Sequence, residues 1–254
     1  MSALPAKTGW HWLKEAMALF RKQPAALTTL LFANVLFSFA IGAIPLLGQI
    51  ATVVLIPSFS MAFMQACLMI DNNERVTPIV LLTGFRKPAV FNLCKVGLAY
   101  LAVTALLTLM AYLMIGESFW KQAATPAANP VVDPSDLMGV LVVAVLQVAT
   151  VIALCFAAPL VYWQQMPPFK AIFYSFFAVL RSLRVFIVML MAWFGMFLSA
   201  TVVLLMVLGN ASMGRVVLTW VAFLFILLLQ CAMYAGYRQV FGVPELKGKP
   251  GVPL

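Results

Sequence analysis

The chain has 254 residues, 65% hydrophobic and only 9% charged, with a formal net charge of +9. A soluble domain is nearer half apolar and a quarter charged, and a water-facing fold of this size cannot hide so much apolar surface, so a soluble globular protein is excluded. The basic balance comes without a basic cluster, which points away from nucleic acid and toward the positive-inside bias of a membrane protein.

Lipid offers no partners to backbone N–H and C=O groups, so spans must be helices or closed-barrel strands. Runs such as 185–208 lack the period-2 alternation of a barrel strand. The expected fold is all-α: a polytopic membrane helix bundle with six transmembrane helices as three hairpins, each preceded by an amphipathic interfacial helix. The whole chain is read as a single integral membrane domain.

In chain order, the first interfacial helix is expected at about 9–22 and the first span at about 24–44. That run is too long for a signal-peptide core and is expected to stay in place. The second span, about 49–70, carries Pro57. A second interfacial helix at about 76–87 leads into the third span, about 91–115. The connection 116–136 holds Pro126, Pro130 and Pro134 and should be irregular. The fourth span, about 137–163, carries Pro159. A third interfacial helix at about 167–183 precedes the fifth and sixth spans at about 185–208 and 216–237. The tail 242–254 is rich in Gly and Pro and should fray.

With the N-terminus inside, 14 of the 16 Lys and Arg fall in inner segments, and only Lys121 and Arg215 fall outside. All four inner segments agree, so both termini are expected in the cytoplasm.

The inner segments echo one another. Leu19-Phe20-Arg21-Lys22-Gln23-Pro24 stands before the first span, Gly84-Phe85-Arg86-Lys87-Pro88 before the third, and Pro167-Pro168 through Leu180-Arg181 before the fifth. In the first copy Trp10, Leu13, Met17 and Phe20 share a helical face; in the third, Phe169, Ile172, Phe173, Phe176 and Leu180 form a stripe. Such helices lie in the interface, with rings toward acyl chains and basic groups toward headgroups. Arg21, Arg86 and Arg181 are the expected contacts to anionic headgroups. Part of the echo is ordinary, because any six-span protein gathers Arg and aromatics at its inner interface. Two-span units that all start inside are parallel repeats, unlike the inverted repeats of many secondary transporters. Pro57 and Pro159 occupy matching places in the second and fourth spans, where a helix break could expose carbonyls beside a cavity.

Gly9-Trp10-x-Trp12, Leu19-Phe20-Arg21-Lys22-x-Pro24, Ile56-Pro57 and Gly84-Phe85-Arg86 together resemble a family of uncharacterised bacterial multi-pass membrane proteins. The layout is also similar to the membrane domain attached to some glycerophosphodiester phosphodiesterases. The resemblance implies six helices in a bacterial inner membrane and brings no catalytic residues. These residues include no soluble phosphodiesterase domain, so that activity does not carry over.

Chemistry is sparse. The one histidine, His11, sits beside two Trp on the first interfacial segment, where a solvated or headgroup-facing ring is expected. Asp133 and Asp136 fall on the opposite side, so no Ser-His-Asp set assembles. No metal-ligand spacing or nucleotide-binding loop is present. Lys95 lies close enough to a span end to snorkel, and no Asp or Glu lies mid-span. Cys67, Cys94, Cys155 and Cys231 read as reduced packing residues. No catalytic residue, cofactor or metal is expected.

Asn34, Gln65, Tyr100, Gln147, Tyr162 and Gln230 remain as uncharged polar groups within spans. Their usual role is interhelical hydrogen bonding; the sharper reading is a polar cavity. Small-xxx-small pairs (Ser38/Gly42, Ala62/Ala66, Ala149/Ala153/Ala157, Gly195/Ser199, Ala232/Gly236) predict close helix contacts. The leading functional reading is a non-enzymatic protein that organises lipid or a protein partner. The second is a small-solute transporter or channel. A membrane-embedded lipid enzyme comes last. The expected partner is the bilayer itself, through anionic headgroups; the sequence names no protein partner and no oligomeric state.

Overall fold

The computed structural model describes residues 5–45, 47–85, 89–116, 119–120, 133–209 and 212–244. Its elements are α1 (Thr8–Lys22), α2 (Pro24–Gly42), α3 (Leu47–Asp71), a 3-10 helix (Pro78–Phe85), α4 (Ala89–Met114), α5 (Pro134–Ala153), α6 (Ala157–Trp163), α7 (Pro168–Arg181), α8 (Leu183–Leu208) and α9 (Ser212–Phe241). No strand occurs among the described residues. Six helices, with α5 and α6 taken as one, are long and apolar enough to cross a membrane. Large apolar side chains on them are open to the surroundings, among them Leu113 at 76% and Met206 at 81% exposure. Water would penalise that surface; lipid does not.

Prolines set several helix starts. Pro24, Pro134 and Pro168 each stand in the first turn of a helix, where a missing N–H costs nothing. Gln23, preceding Pro24, is extended at φ −143°, which separates α1 from α2. Its side chain donates to the Glu74 carbonyl (2.7 Å) and accepts from the Val76 N–H (3.2 Å), tying this corner to the end of α3. At the opposite end of the bundle Asp136, in the first turn of α5, accepts from the Gly116 N–H at 2.8 Å. That bond joins α4 to α5.

The buried core is gathered at the α1 end. It comprises the first half of α2 (Leu27, Leu30), the second half of α3 (Met61 to Ile70), the start of α4 (Leu93, Val96), α6, the start of α8 (Val185, Phe186, Met189) and the last half of α9. Beyond it the spans splay. There α4 and α5 meet through Leu107, Ala111, Ile115 and Gly139, and Gly48 at the start of α3 lies against the Ile41 carbonyl of α2. Glycines let backbones touch. A Cβ on Gly97 of α4 would lie within 2 Å of the Val54 carbonyl of α3, at 1.9 Å. A Cβ on Gly9 of α1 would meet the Val185 carbonyl at 2.4 Å. Among the small-residue pairs, Ala62/Ala66 and Ala232/Gly236 are packed, whereas Gly42 and Gly195 face open space.

Three details differ from the sequence reading. The face of α1 turned into the bundle is Gly9, Trp12, Leu13, Ala16 and Leu19, against α8 and α9, while Trp10 is exposed. Small Gly9 and Ala16 permit a close approach that bulk alone would not choose. The segment before α4 is a 3-10 helix whose Val80, Leu81 and Gly84 pack on α3; a short run with Gly84 against the Ser58 backbone has no room for a wider turn. Pro57 does not break α3, which runs unbroken from Leu47 to Asp71. The fourth span does break, at 154–156, just before Pro159.

Candidate functional site

Uncharged and charged polar groups converge in two places. The first is a knot at the α1 end, formed by the last turns of α3 and α9 with α1. Arg238 of α9 bonds Asp71 of α3 at 2.6 Å and Glu15 of α1 at 2.8 Å. The Tyr234 hydroxyl donates to the same Asp71 oxygen at 3.0 Å. Nearby, the Trp12 indole N–H donates to Gln239 Oε1. Gln164 Nε2 donates to the Tyr237 hydroxyl at 3.2 Å, and the Trp163 N–H to Gln65 Oε1 at 3.0 Å. Half-buried charges in such a network are better held than an isolated surface pair. It is a structural clasp between the first helix and the last. The sequence signal for it was faint: Asp71 and Arg238 stand at the same-side ends of the second and sixth spans.

The second is a cavity of about 340 Å³ in the middle of the bundle, between α3, α4, α5, α6, α8 and α9. Its wall is mostly apolar. Ser60, Tyr100, Gln147 and Gln230 are its polar lining residues, and Trp193 borders it. Trp193 is fixed there by donating to the Phe225 carbonyl at 2.9 Å. Ser60 donates to Gln230 Oε1 at 3.1 Å. That pair separates the cavity from a neighbouring one of about 310 Å³ between α2, α3 and α9, lined by Asn34. The Asn34 Oδ1 atom is buried there without a hydrogen-bond partner. The main cavity has a side opening. Val148 and Val151 of α5 form its rim at about half exposure, and α5 makes no sustained packing with α8 on that side.

The broken span shapes this cavity. Leu154, Cys155 and Ala158 line it. At the break, buried Ser175 of α7 donates to the Ala153 carbonyl at 2.7 Å and accepts from the Phe156 N–H at 3.1 Å. One hydroxyl thus supplies partners to two backbone groups that the interrupted helix leaves open. Pro159 lacks the N–H that would continue the ladder. Pro57 lines the same cavity from the opposite wall.

The headgroup candidates are spread around the α1 end. Arg21 ends α1 and Arg181 ends α7; both are exposed and, among the described residues, neither has an ion-pair partner. Arg86 lies outside the described residues, as do Lys87, most of the 116–136 connection and the tail from residue 245. The buried edge of α7 is Pro168, Ala171, Ser175 and Val179. Its other side shows Phe169 (83% exposed), Phe173, Tyr174, Phe176, Phe177 and Leu180. Lys170 Nζ sits 5.7 Å from the Tyr174 ring, and Lys14 Nζ sits 5.8 Å from the Trp10 ring. His11 is exposed. Cys67 and Cys231, both buried, bring their sulfurs to 3.3 Å, and all four cysteines are free. Among the described residues no cluster of His, Cys, Asp and Glu could hold a metal ion.

The chain is similar to a protein of Burkholderia thailandensis described as a probable inner membrane protein. The two are 29% identical over 259 residues, covering 98% of this chain and 94% of the relative. The chain is an integral membrane protein. No family model matches it, and no solved structure matches it.

Proposed function

We propose that the chain is a non-enzymatic component of a bacterial inner membrane, with both termini in the cytoplasm, that gathers anionic lipid around its α1 end. The observation that carries this reading is α7. The helix is clamped to the bundle by its small residues and by Ser175, while four phenylalanines and Leu180 face outward beside Lys170 and Arg181. Rings in the acyl chains and cations in the headgroup layer are the geometry of an interfacial anchor. The relative's description as a probable inner membrane protein supports the location. The 14-to-2 bias of Lys and Arg supports the orientation.

The test is native mass spectrometry of the protein released from nanodiscs of mixed phosphatidylglycerol and phosphatidylcholine. Wild type should carry phosphatidylglycerol in excess of its bulk fraction. Reversal of Arg21, Arg86 and Arg181 to Glu should abolish the excess. If bound lipids and co-purifying proteins are both unchanged, the reading loses its basis. A terminal reporter that is active on only one side of the membrane checks the orientation.

The cavity beside Pro57 and the 154–156 break favours one second reading, passage of a small solute. Flux of a solute panel across proteoliposomes tests it, and equal rates with and without protein would dismiss it.

A further inference from the structure

The groups around the central cavity carry more hydrogen-bonding capacity than the protein uses. Tyr100 and Gln147 line the cavity, Gln147 also bordering a hollow between α4 and α5, and the side chains of both bond to no other group among the described residues. Gln230 uses its Oε1 on Ser60, and its Nε2 has no partner among the described residues. Three polar side chains with unused hydrogen-bonding capacity therefore border one space at bilayer depth. Unmet polar groups are costly in surroundings without water. Interhelical bonding, the ordinary use of such residues, is not what Tyr100 and Gln147 do here.

We infer that this cavity is a binding site for a neutral lipid whose polar part is a carbonyl, entering sideways from the bilayer between α5 and α8. Neutrality follows from the wall. Among the described residues it holds no Lys, Arg, His, Asp or Glu, so a charged headgroup would enter uncompensated. A carbonyl follows from the donors, since amide N–H and phenol O–H groups are what a carbonyl oxygen accepts from. Entry from the side follows from the half-exposed rim at Val148 and Val151 and the unpacked seam beside it. The volume, about 340 Å³, suits a single ring or ester head at the small end of ligand pockets, which run from about 300 to 1,000 Å³. The tail would remain in the seam. Trp193, its ring stacked on Phe197, borders the cavity and extends an aromatic wall beside a bound ring. This site is separate from the anionic-lipid anchor at the α1 end, and either can fail without the other.

Two sources share this chemistry: a quinone with ring carbonyls and a diglyceride with ester carbonyls. The experiment uses the full chain in phosphatidylcholine nanodiscs, with decylubiquinone or dioctanoylglycerol added, and native mass spectrometry to count bound molecules. One probe is expected to bind wild type with a stoichiometry of one. Ala158→Phe, which fills the cavity, and the double change Gln147→Leu with Gln230→Leu should each reduce occupancy about tenfold or more. Their phosphatidylglycerol binding, measured separately, should not change. Tyr100→Phe removes one oxygen and almost no volume, so it serves if the other variants do not fold; loss of one hydrogen bond predicts about fivefold weaker binding. Which probe binds identifies the source. Failure of both probes to bind wild type overturns the proposal, as does equal binding by wild type and every folded variant.

Discussion

Replacing Ser175 with alanine takes one oxygen from the bundle and leaves two backbone groups without a partner. The Ser175 hydroxyl reaches the Ala153 carbonyl at 2.7 Å and the Phe156 N–H at 3.1 Å, across the interruption in the fourth span. A buried group left unmet costs about 1–3 kcal/mol, and here there are two. Side-chain bonds between membrane helices average only about 0.6 kcal/mol, because released side chains find other partners. The groups at 153 and 156 have less choice. Cys155 N–H already occupies the Ile152 carbonyl at 3.1 Å, and Pro159 cannot extend the ladder. The expected loss for Ser175→Ala is therefore about 2–4 kcal/mol. Reversible unfolding in mixed micelles, titrated with a denaturing detergent, measures it. Ser199→Ala is the control, since that exposed hydroxyl bonds only Met196 within its own helix, and it should change stability by less than about 0.5 kcal/mol. A Ser175→Ala protein as stable as the control would refute the assignment of this hydroxyl to the break.

Close backbone contacts give a second prediction. Gly97→Val should destabilise by more than about 2 kcal/mol, because the new side chain meets the Val54 carbonyl, whereas Gly195→Ala, with open space around it, should be near neutral in the same assay. At the polar knot, Arg238→Met and Asp71→Asn should each destabilise. A double-mutant cycle should return a coupling of about 0.5–3 kcal/mol, and a value near zero would mean that the 2.6 Å contact does not hold the bundle. Trp12→Ala should cost about 3–5 kcal/mol, since the ring is 1% exposed and packed on Phe186, while Trp10→Ala on the exposed side should cost far less.

The six spans were legible because length and unbroken apolarity suffice to identify them, whatever their neighbours are. Rotation about each helix axis was not. A helix apolar on every side carries no stripe to say which side is inner, so the convergence of Tyr100, Gln147 and Gln230 on one cavity left no trace in the spacing of those residues. On α1 the deciding residues were the small ones: Gly9 and Ala16 flank Trp12 on one face, and that spacing, rather than the bulk of Trp10 and Phe20, marks the packed side. The two prolines make the same point. Pro57 and Pro159 look alike in sequence, yet only the second stands at a broken helix. Ser175 is placed to take up the groups freed there, and it comes from a helix sixteen residues further on, outside any local reading.

The clasp between Trp12 and Gln239 joins residues 227 apart in the chain. Synthesis runs from the N-terminus at about 5–20 residues per second, so α1 is made about 11–45 s before its partner helix exists. For most of that interval Gly9 and Trp12 lack even α8, and once α8 is made they have Val185 and Phe186 to pack on while the indole N–H still lacks Gln239. The bundle therefore closes last at its beginning. A ribosome that stops before α9 leaves five spans and a first helix held on one side only, by α8, without the Arg238 and Gln239 contacts.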